Sequence, residues 1–352
     1  MRRLHAGCGT ATAVLMALSP LSSASSATAQ TPSDGPDTHR GTYTDWGPWQ
    51  RIPTAKHEKF RACGTTVHIK TVVNRERVRI RTDAAGVVHQ QFRGALWERL
   101  VDNRSRRSAA LNVSGWSAPG GAVAYPNGDF MYDAVGANLI YPHRNLDVVR
   151  GMPRAFVSQG PITLLSHPHA RVRMLREPQK WVSVCALLRG ARQPVGAHAR
   201  GGYTDWSRWQ GGKLGDVTHQ ICGTTVKEHL TTDAEQTRTR QDSRGNLYIS
   251  IRGDLAVRFT ATGGVSTGVM DVSGVTPPGG IVLYAHGKAR TDSLYDSLGS
   301  NEVVQDRAHG VTPRLPKASF GQGPLTMLSI NHHNRLLRAP QQAMNICTLL
   351  GR

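Results

Sequence analysis

The chain is poor in acidic residues, in lysine and in long apolar runs. Its 24 Asp and Glu stand against 43 Lys and Arg, which gives a formal net charge of +19. No segment approaches the roughly 20 consecutive apolar residues that a membrane-spanning helix needs. We therefore expect a chain without a transmembrane helix, whose positive field concentrates anions near its surface.

The sequence also lacks the short motifs that identify common enzymes. It has no Gly-x-Ser-x-Gly elbow, no His-Glu-x-x-His, no phosphate-binding loop and no Gly-x-Gly-x-x-Gly fingerprint. The histidines at 167 and 169, and those at 332 and 333, fall at predicted hairpin tips that face solvent. We expect no catalytic residue, no metal and no cofactor, and a binding protein fits the sequence better than an enzyme.

Two stretches of the chain repeat each other. Tyr-Thr-Asp-Trp at 43–46 returns at 203–206, and Cys-Gly-Thr-Thr-Val at 63–67 returns at 222–226. Each copy closes on a Cys-x-Leu-Leu run, at 185–188 and at 347–350. These matches predict a tandem duplication, with one domain at 41–189, a linker at 190–200 and a second domain at 201–352.

The N-terminus has the pattern of a secretory signal peptide. Two arginines at 2–3 precede a short apolar stretch at 11–18, and small residues at 27 and 29 suit a cleavage site. We expect residues 1–29 to be removed and the protein to be secreted. Residues 30–40 are polar and contain proline and glycine, which predicts a disordered leader.

Four cysteines remain after the predicted cleavage, and four cysteines allow three pairings. Because Cys63 and Cys185 occupy the same places in the first copy as Cys222 and Cys347 in the second, the simplest pairing closes one disulfide within each copy. A metal site is the competing interpretation. It is weaker, because no histidine recurs beside these cysteines at ligand spacing.

Apolar residues after Thr65 alternate instead of recurring every three or four, which predicts half-buried strands. One long strand is expected from Val87 to about Val101, and turn residues follow every 8–12 positions. Only the stretch around Leu146 looks helical. The pattern predicts an all-β fold of two tandem antiparallel β-barrels or two-sheet sandwiches, and the barrel is preferred because it leaves no exposed sheet edge.

The repeated Tyr-Thr-Asp-Trp, Cys-Gly-Thr-Thr-Val, Gly-Pro-Ile/Leu-Thr and Cys-x-Leu-Leu runs resemble those of secreted actinobacterial proteins of uncharacterised function. The strand pattern is also similar to small antiparallel barrels of the lipocalin and allene oxide cyclase kind. That second resemblance implies a barrel that binds or isomerises an apolar ligand. It carries no site residue across.

The first copy holds most of the basic excess, with 22 Lys and Arg against 10 Asp and Glu in residues 41–190, compared with 16 against 12 in residues 201–352. Four of its arginines alternate along one predicted strand and should project from one face: Arg75, Arg77, Arg79 and Arg81. Three more follow in a polar loop: Arg104, Arg106 and Arg107. Together they are candidates for a stripe that binds phosphate or carboxylate, the alternative being a solvated strand face that discourages edge pairing.

Two tryptophans stand at the start of each copy, Trp46 with Trp49 and Trp206 with Trp209. An indole face can stack on sugar rings or bases, but a tryptophan beside a first strand more often plugs a core or a barrel end, and the core interpretation is preferred. Several polar residues also recur, and buried hydrogen bonds explain them as well as a pocket does: Asp133 and Asp296, Asn138 and Asn301, Arg176 and Arg338.

These observations favour a secreted, non-enzymatic binding protein for anionic polymers at the cell envelope. The candidate partners are a cell-wall phosphate polymer, an acidic polysaccharide or nucleic acid. The alternative is a barrel that binds or isomerises a small apolar molecule. An exposed basic surface would favour the first, and an open cavity with converging polar groups the second.

Overall fold

The computed structural model of the chain describes residues 38–40, 43–54, 58–142, 149, 152–167, 172–193, 203–212, 215–285, 292–304, 315–331 and 333–352. They form two compact units: unit 1 lies within Thr44–Gly202, and unit 2 comprises Tyr203–Arg352 with residues up to Tyr43. The predicted signal peptide, the leader before residue 38, the linker at 194–200 and the predicted helix near Leu146 lie outside the described residues.

The described part of unit 1 consists of short strands, whose burial often alternates as the period of two predicts. The strands are β2 (Gln50–Arg51), β3 (Lys59–Ala62), β4 (Thr65–Asn74), β5 (Arg77–Thr82), β6 (Val88–Arg93), β7 (Leu96–Asp102), β8 (Ser108–Asn112), β9 (Trp116–Ser117), β10 (Ala122–Ala124), β11 (Phe130–Val135), β12 (Ala137–Ile140), β13 (Phe156–Gln159), β14 (Ile162–Ser166), β15 (Arg173–Arg176) and β16 (Lys180–Ser183).

Unit 2 has the same kind of structure. Its strands are β1 (Thr38–Arg40), β17 (Gln210–Gly211), β18 (Val217–Ile221), β19 (Thr224–Asp233), β20 (Gln236–Gln241), β21 (Leu247–Arg252), β22 (Leu255–Ala261), β23 (Met270–Asp271), β24 (Gly274–Val275), β25 (Ile281–Leu283), β26 (Ser293–Val304), β27 (Ala318–Gln322), β28 (Leu325–Ile330), β29 (His333–Arg338) and β30 (Gln342–Asn345). The strand β1 falls in the stretch predicted to be a disordered leader and pairs with β30.

All strand pairings are antiparallel in the described residues. Unit 1 has three sheets, with the orders β15-β14-β11-β10-β6-β5-β2 (β9 beside β11), β12-β13-β16 and β3-β4-β7-β8. Unit 2 has the orders β1-β30-β27-β26-β25-β21-β20-β17, with β24, β28 and β29 attached, and β18-β19-β22-β23. The all-β prediction is confirmed. The preference for closed barrels is wrong, because no sheet in the described part closes on itself.

Glycine bends explain why the sheets separate. The long strand predicted from Val87 to Val101 is divided into β6 and β7 at Gly94, where φ is +127°. A Cβ at Gly94 would lie 2.3 Å from the carbonyl oxygen of Arg75 on the facing chain, so only glycine permits this approach. The facing chain also bends here, between the end of β4 at Asn74 and the start of β5 at Arg77. As a result β4 and β7 belong to one sheet, and β5 and β6 belong to another.

The apolar faces of the sheets are packed into separate cores. In unit 1 one core includes Ile52, Val78, Phe92, Tyr132 and Phe156. The other includes Phe60, Ile69, Leu100, Leu139 and Val157. In unit 2 a core contains Val226, Val257, Phe259, Phe320 and Ile346.

A short helix ends each unit, and sequence reasoning missed both: α1 (Val184–Leu188) and α2 (Ile346–Leu349). The side chains of Ser183 and Asn345 cap them by accepting hydrogen bonds from backbone N–H groups. No helix in the described residues has the length and apolar character to cross a membrane.

Each helix also carries one half of a disulfide. The predicted pairing is confirmed: Cys63 is bonded to Cys185 and Cys222 to Cys347, with Cα–Cα distances of 5.4 and 5.2 Å. Two formed disulfides are typical of proteins in an oxidising, extracellular environment.

Candidate functional site

Arginine and tryptophan side chains alternate in a stack on one face of β5 and β6. The Arg79 guanidinium lies 4.9 Å from the ring centroids of both Trp46 and Trp49. Arg81 lies 4.5 Å from the Trp46 ring, and Arg93 lies 4.2 Å from the Trp49 ring. Each indole therefore contacts two guanidinium groups, and each contact contributes roughly 0.5–2 kcal/mol.

Backbone hydrogen bonds bring the two tryptophans to this position. Residues 43–49 are irregular, but Thr44 N donates to Thr82 O at 2.9 Å and Gly47 N donates to Ile80 O at 2.8 Å. Alternate residues of β5 project from one face of the sheet, so its arginines are spaced to meet the rings. The stack fastens the first segment of unit 1 to β5. The indole faces meet guanidinium groups, whereas the predicted stacking platform needs an open face.

Unit 2 contains a similar stack on β20 and β21. Arg238 lies 4.8 Å from the Trp206 ring and 4.5 Å from the Trp209 ring. Arg240 lies 4.5 Å from the Trp206 ring, and Arg252 lies 4.0 Å from the Trp209 ring.

The inner end of each stack lies near an aspartate. In unit 2, Arg240 is 5.4 Å from the ring of Tyr248, whose hydroxyl donates to Asp242 at 3.1 Å. In unit 1, Arg81 is directly opposite His89, whose Nε2 lies 3.7 Å from Asp83. The arginine at the buried end of each stack, Arg81 or Arg240, therefore has an aspartate in its neighbourhood.

The outer end of the unit 1 stack continues into a row of three arginines on neighbouring strands. Arg77 is directly opposite both Arg51 of β2 and Arg93 of β6. Directly opposite residues share a face of the sheet, and like charges in such pairs destabilise it. All three arginines are exposed, and no carboxylate among the described residues pairs with them. We call Arg51, Arg77 and Arg93 the arginine row.

In unit 2 the three positions that correspond to the arginine row hold only one charged residue, Arg252. The register there places Gly211 and Arg252 opposite Gln236. The Arg252 Nε and Nη2 atoms donate to Gln236 Oε1 at 3.0 and 2.8 Å. Unit 2 thus has the stack without the row.

The predicted ladder of four arginines is shorter in the structure. Arg75 precedes β5, because the chain bends there opposite Gly94. Along β5 the exposure falls from exposed Arg77 through half-buried Arg79 to Arg81, which is only 7% exposed. The ladder therefore runs from the surface into the protein.

The loop with Arg104, Arg106 and Arg107 lies far from this surface. It follows β7, whose register with β4 pairs Asp102 with Val67 and Leu96 with Asn74. From Leu96 near the bend to Asp102 before the loop, β7 makes six steps of about 3.3 Å each, so roughly 20 Å of strand lie between the bend and the loop. In the loop, the Ser105 hydroxyl donates to Asp102 at 2.6 Å and is the main cause that lowers the pKa of Asp102 to about 2. The structure does not bring the loop and the ladder together.

The other recurring polar residues form buried networks. Arg176 Nη1 donates to Thr163 Oγ1 at 2.7 Å and lies 3.4 Å from Asp133 Oδ1, which accepts a 2.9 Å bond from Thr163. The counterparts in unit 2 repeat these contacts: Arg338, Thr326 and Asp296. The side chains of Asn138 and Asn301 each donate to a glycine carbonyl at a strand bend. These contacts stabilise the fold and do not line an anion site.

The predicted hairpin tips with histidines are described only in part. His167 Nδ1 lies 2.9 Å from Asp129, and His333 is exposed at the start of β29. His169 and His332 lie outside the described residues.

Two glutamates of unit 1 are buried close to each other. Glu76 is 4% exposed, and burial followed by repulsion from Glu98 raises its pKa to about 8. Burial followed by repulsion from Glu58 raises the pKa of Glu98 to about 7. Glu58 also accepts a hydrogen bond from the Tyr141 hydroxyl. Glu76 therefore keeps its proton at neutral pH, and Glu98 is about half protonated there.

A histidine and two glutamates meet in unit 2. Strand β18 places His219 opposite Val226 of β19, and Glu228 follows two residues later on the same face. His219 Nε2 lies 2.8 Å from Glu228 Oε2 and 3.9 Å from Glu302 Oε1, which β26 supplies. The hydrogen bond that His219 donates to Glu228 raises the pKa of His219, and burial followed by repulsion from Glu228 raises the pKa of Glu302 to about 7.

Sequence reasoning missed this cluster, although the matched runs of the two units contain a signal for it. The residues of unit 1 at the matching sequence positions are apolar core residues: Phe60, Ile69 and Leu139. Unit 2 thus has ionisable residues at three positions where unit 1 has apolar ones. They are distant in sequence, so only the fold shows that they touch.

Comparisons with protein-family models, with curated proteins and with solved structures find no match for the chain.

Proposed function

We propose that the protein is a secreted, non-enzymatic binding protein for a linear polyanion, and that the arginine row of unit 1 is its contact surface. Its physical support is a row of three exposed arginines that the sheet register forces together. Three adjacent positive charges cost stability when they face only water. A polymer with regularly spaced negative groups would relieve that repulsion.

The chemistry of the row suits phosphate or carboxylate groups. A guanidinium offers a planar fork of N–H donors that fits either group in a bidentate manner. Stacking on Trp49 fixes the Arg93 guanidinium, so less side-chain freedom is lost when an anion binds. The half-buried Arg79 extends the same positive face inward, and its Nε and Nη2 atoms donate to the neutral Gln91 amide.

The proposal includes export and duplication. A charged start, a short apolar stretch and a small-residue cleavage site support a signal peptide at 1–29. The matched sequence runs, the two disulfides at matching positions and the two Arg–Trp stacks support descent from one duplicated β domain. The copies would then have diverged, because only the first has the row.

The alternative of a barrel around an apolar ligand has less support. The sheets of the described residues are open, and their apolar faces pack into cores. One cavity in unit 2 has a volume of about 170 Å³, below the roughly 300–1,000 Å³ of typical ligand pockets. A second cavity, of about 370 Å³, lies beside the Cys222–Cys347 disulfide, and its lining includes the exposed residues Gln220 and Lys317.

The test compares binding of long-chain polyphosphate and of poly-glutamate to the full mature protein at several salt concentrations. One variant carries Arg51→Gln, Arg77→Gln and Arg93→Gln. A matched control carries Arg104→Gln, Arg106→Gln and Arg107→Gln, which removes the same charge from the same unit. If these polymers behave like single-stranded nucleic acid, the slope of log affinity against log salt is negative, and losing three contacts makes it less steep by about 2.

We expect the row variant to bind more weakly with the shallower slope and the loop control to stay close to wild type. Equal weakening of both variants would mean that net charge alone attracts the polymer. Wild-type binding by a folded row variant would contradict the proposed surface. The two polymers distinguish preference for phosphate from preference for carboxylate.

A further inference from the structure

We propose that the cluster of His219, Glu228 and Glu302 in unit 2 binds a divalent transition-metal ion of the Zn²⁺ type. This inference is independent of the polyanion proposal, because it uses a different unit and different side chains. The cluster contains one imidazole and two carboxylate groups, a ligand combination that zinc accepts readily.

The geometry is close to what such an ion requires. The three ligand atoms all lie within 4.8 Å of one another. Ligands about 2.0–2.1 Å from a tetrahedral zinc ion are separated by roughly 3.3 Å. The observed 2.8 and 3.9 Å from His219 Nε2 to the two carboxylates lie on either side of that value. Small side-chain rotations would bring all three ligands to one ion.

The backbone already holds the ligands in place. His219 and Glu228 lie on paired strands of one hairpin, and Glu302 lies on the 12-residue strand β26. Sites supported by strands keep their geometry better than sites on loops. The side chains of His219 and Glu302 remain 18% and 17% exposed, so an ion has access from solvent.

Space for a further ligand lies beside the cluster. Glu302 lines the cavity of about 170 Å³, together with Glu235, Tyr295 and Asn301. Three protein ligands and one open position filled by water is the arrangement of zinc sites that bind exchangeable ligands.

The first copy shows that the fold does not need this cluster. The equivalent positions there are Phe60, Ile69 and Leu139, which pack in a core. Replacing three packed apolar residues by two carboxylates and an imidazole brings like charges together and costs stability. A bound cation would compensate that cost.

The experiment titrates Zn²⁺ into the full mature protein, after removal of metal with a chelator, in competition with a chromophoric chelator. The main variant is His219→Phe, Glu228→Ile and Glu302→Leu, which installs the residues of the first copy. Because a folding defect would complicate its result, a second variant carries Glu228→Gln and Glu302→Gln, which preserve side-chain volume. The control is His229→Phe, since His229 follows Glu228 directly but pairs with Asp216.

We expect wild type and the His229 control to bind one Zn²⁺ per chain with affinities within about twofold. The main variant should lose at least ~100-fold in affinity and the glutamine variant at least ~10-fold. Loss of a residue that only supports a metal ligand costs 10–100-fold in metal affinity, and loss of the ligands themselves should cost at least as much. A wild-type protein that binds no stoichiometric Zn²⁺ would overturn the proposal. So would glutamine and main variants that bind like wild type.

Discussion

Replacing Glu76 by glutamine should stabilise unit 1 most above neutral pH and by less than about 1 kcal/mol at pH 5. The folded protein holds the pKa of Glu76 near 8, mainly by burial, whereas the ordinary value is 4.5. Between these values the unfolded chain releases the proton and the folded chain keeps it. The unfolded state therefore binds fewer protons, and stability falls as pH rises from about 4.5 to about 8.

The size of the effect follows from the shift. At about 1.4 kcal/mol per pKa unit, the change from 4.5 to about 8 sets a ceiling of about 5 kcal/mol. Water entry and local rearrangement reduce such penalties, so we expect about 2–3 kcal/mol. A glutamine carries no charge at any pH, and the variant should exceed wild type by this amount at pH 9.

Urea denaturation of the full chain at pH 5, 7 and 9 measures the difference. Five of the seven tryptophans lie between residues 44 and 202, so tryptophan fluorescence weights the signal toward unit 1. The matched control is Glu235→Gln, which occupies the same place in unit 2. Glu235 is half-buried, and its pKa is raised by burial and by Asp233, so its effect should be smaller. A Glu76→Gln variant no more stable than wild type at pH 9 would refute the reasoning.

Three further predictions concern other parts of the chain. Arg176→Ala should lower the free energy of unfolding by about 3–5 kcal/mol, because it leaves Asp133 buried without its cation; a urea midpoint equal to that of wild type would contradict the buried network. Replacing Cys222 and Cys347 by serine opens a loop with a sequence separation of 125. The chain-entropy model then predicts a loss of about 4–5 kcal/mol in the same assay, and an unchanged midpoint would exclude that estimate. Mass spectrometry of the secreted protein should find an N-terminus at Gln30, whereas a chain that begins at Met1 would exclude export through this signal.

The two units act as mutual controls. The Arg–Trp stacks occur in both, which indicates that they stabilise the fold. The arginine row occurs only in unit 1 and the His219–Glu228–Glu302 cluster only in unit 2. Features that one unit lacks while it keeps the same kind of β structure are the better candidates for function, and both proposals depend on such features.

The sequence by itself determined the strand content and the disulfide pairing. Alternation of apolar residues is a local property that identifies strands directly, and the matched positions of Cys63 and Cys185 with Cys222 and Cys347 left one simple pairing. The arginines of β5 were also recognisable, because residues two apart on a strand share a face. Arg51 was not, since its position opposite Arg77 depends on how distant strands pair.

Only the tertiary structure decided the closure of the sheets and the composition of both candidate sites. The bend at Gly94 depends on the approach of the facing chain, which turns one predicted long strand into two and leaves the sheets open. The sites bring together residues separated by tens of positions, from Arg51 to Arg93 and from His219 to Glu302. Local sequence carries no record of such contacts, because they are fixed by sheet register and by packing.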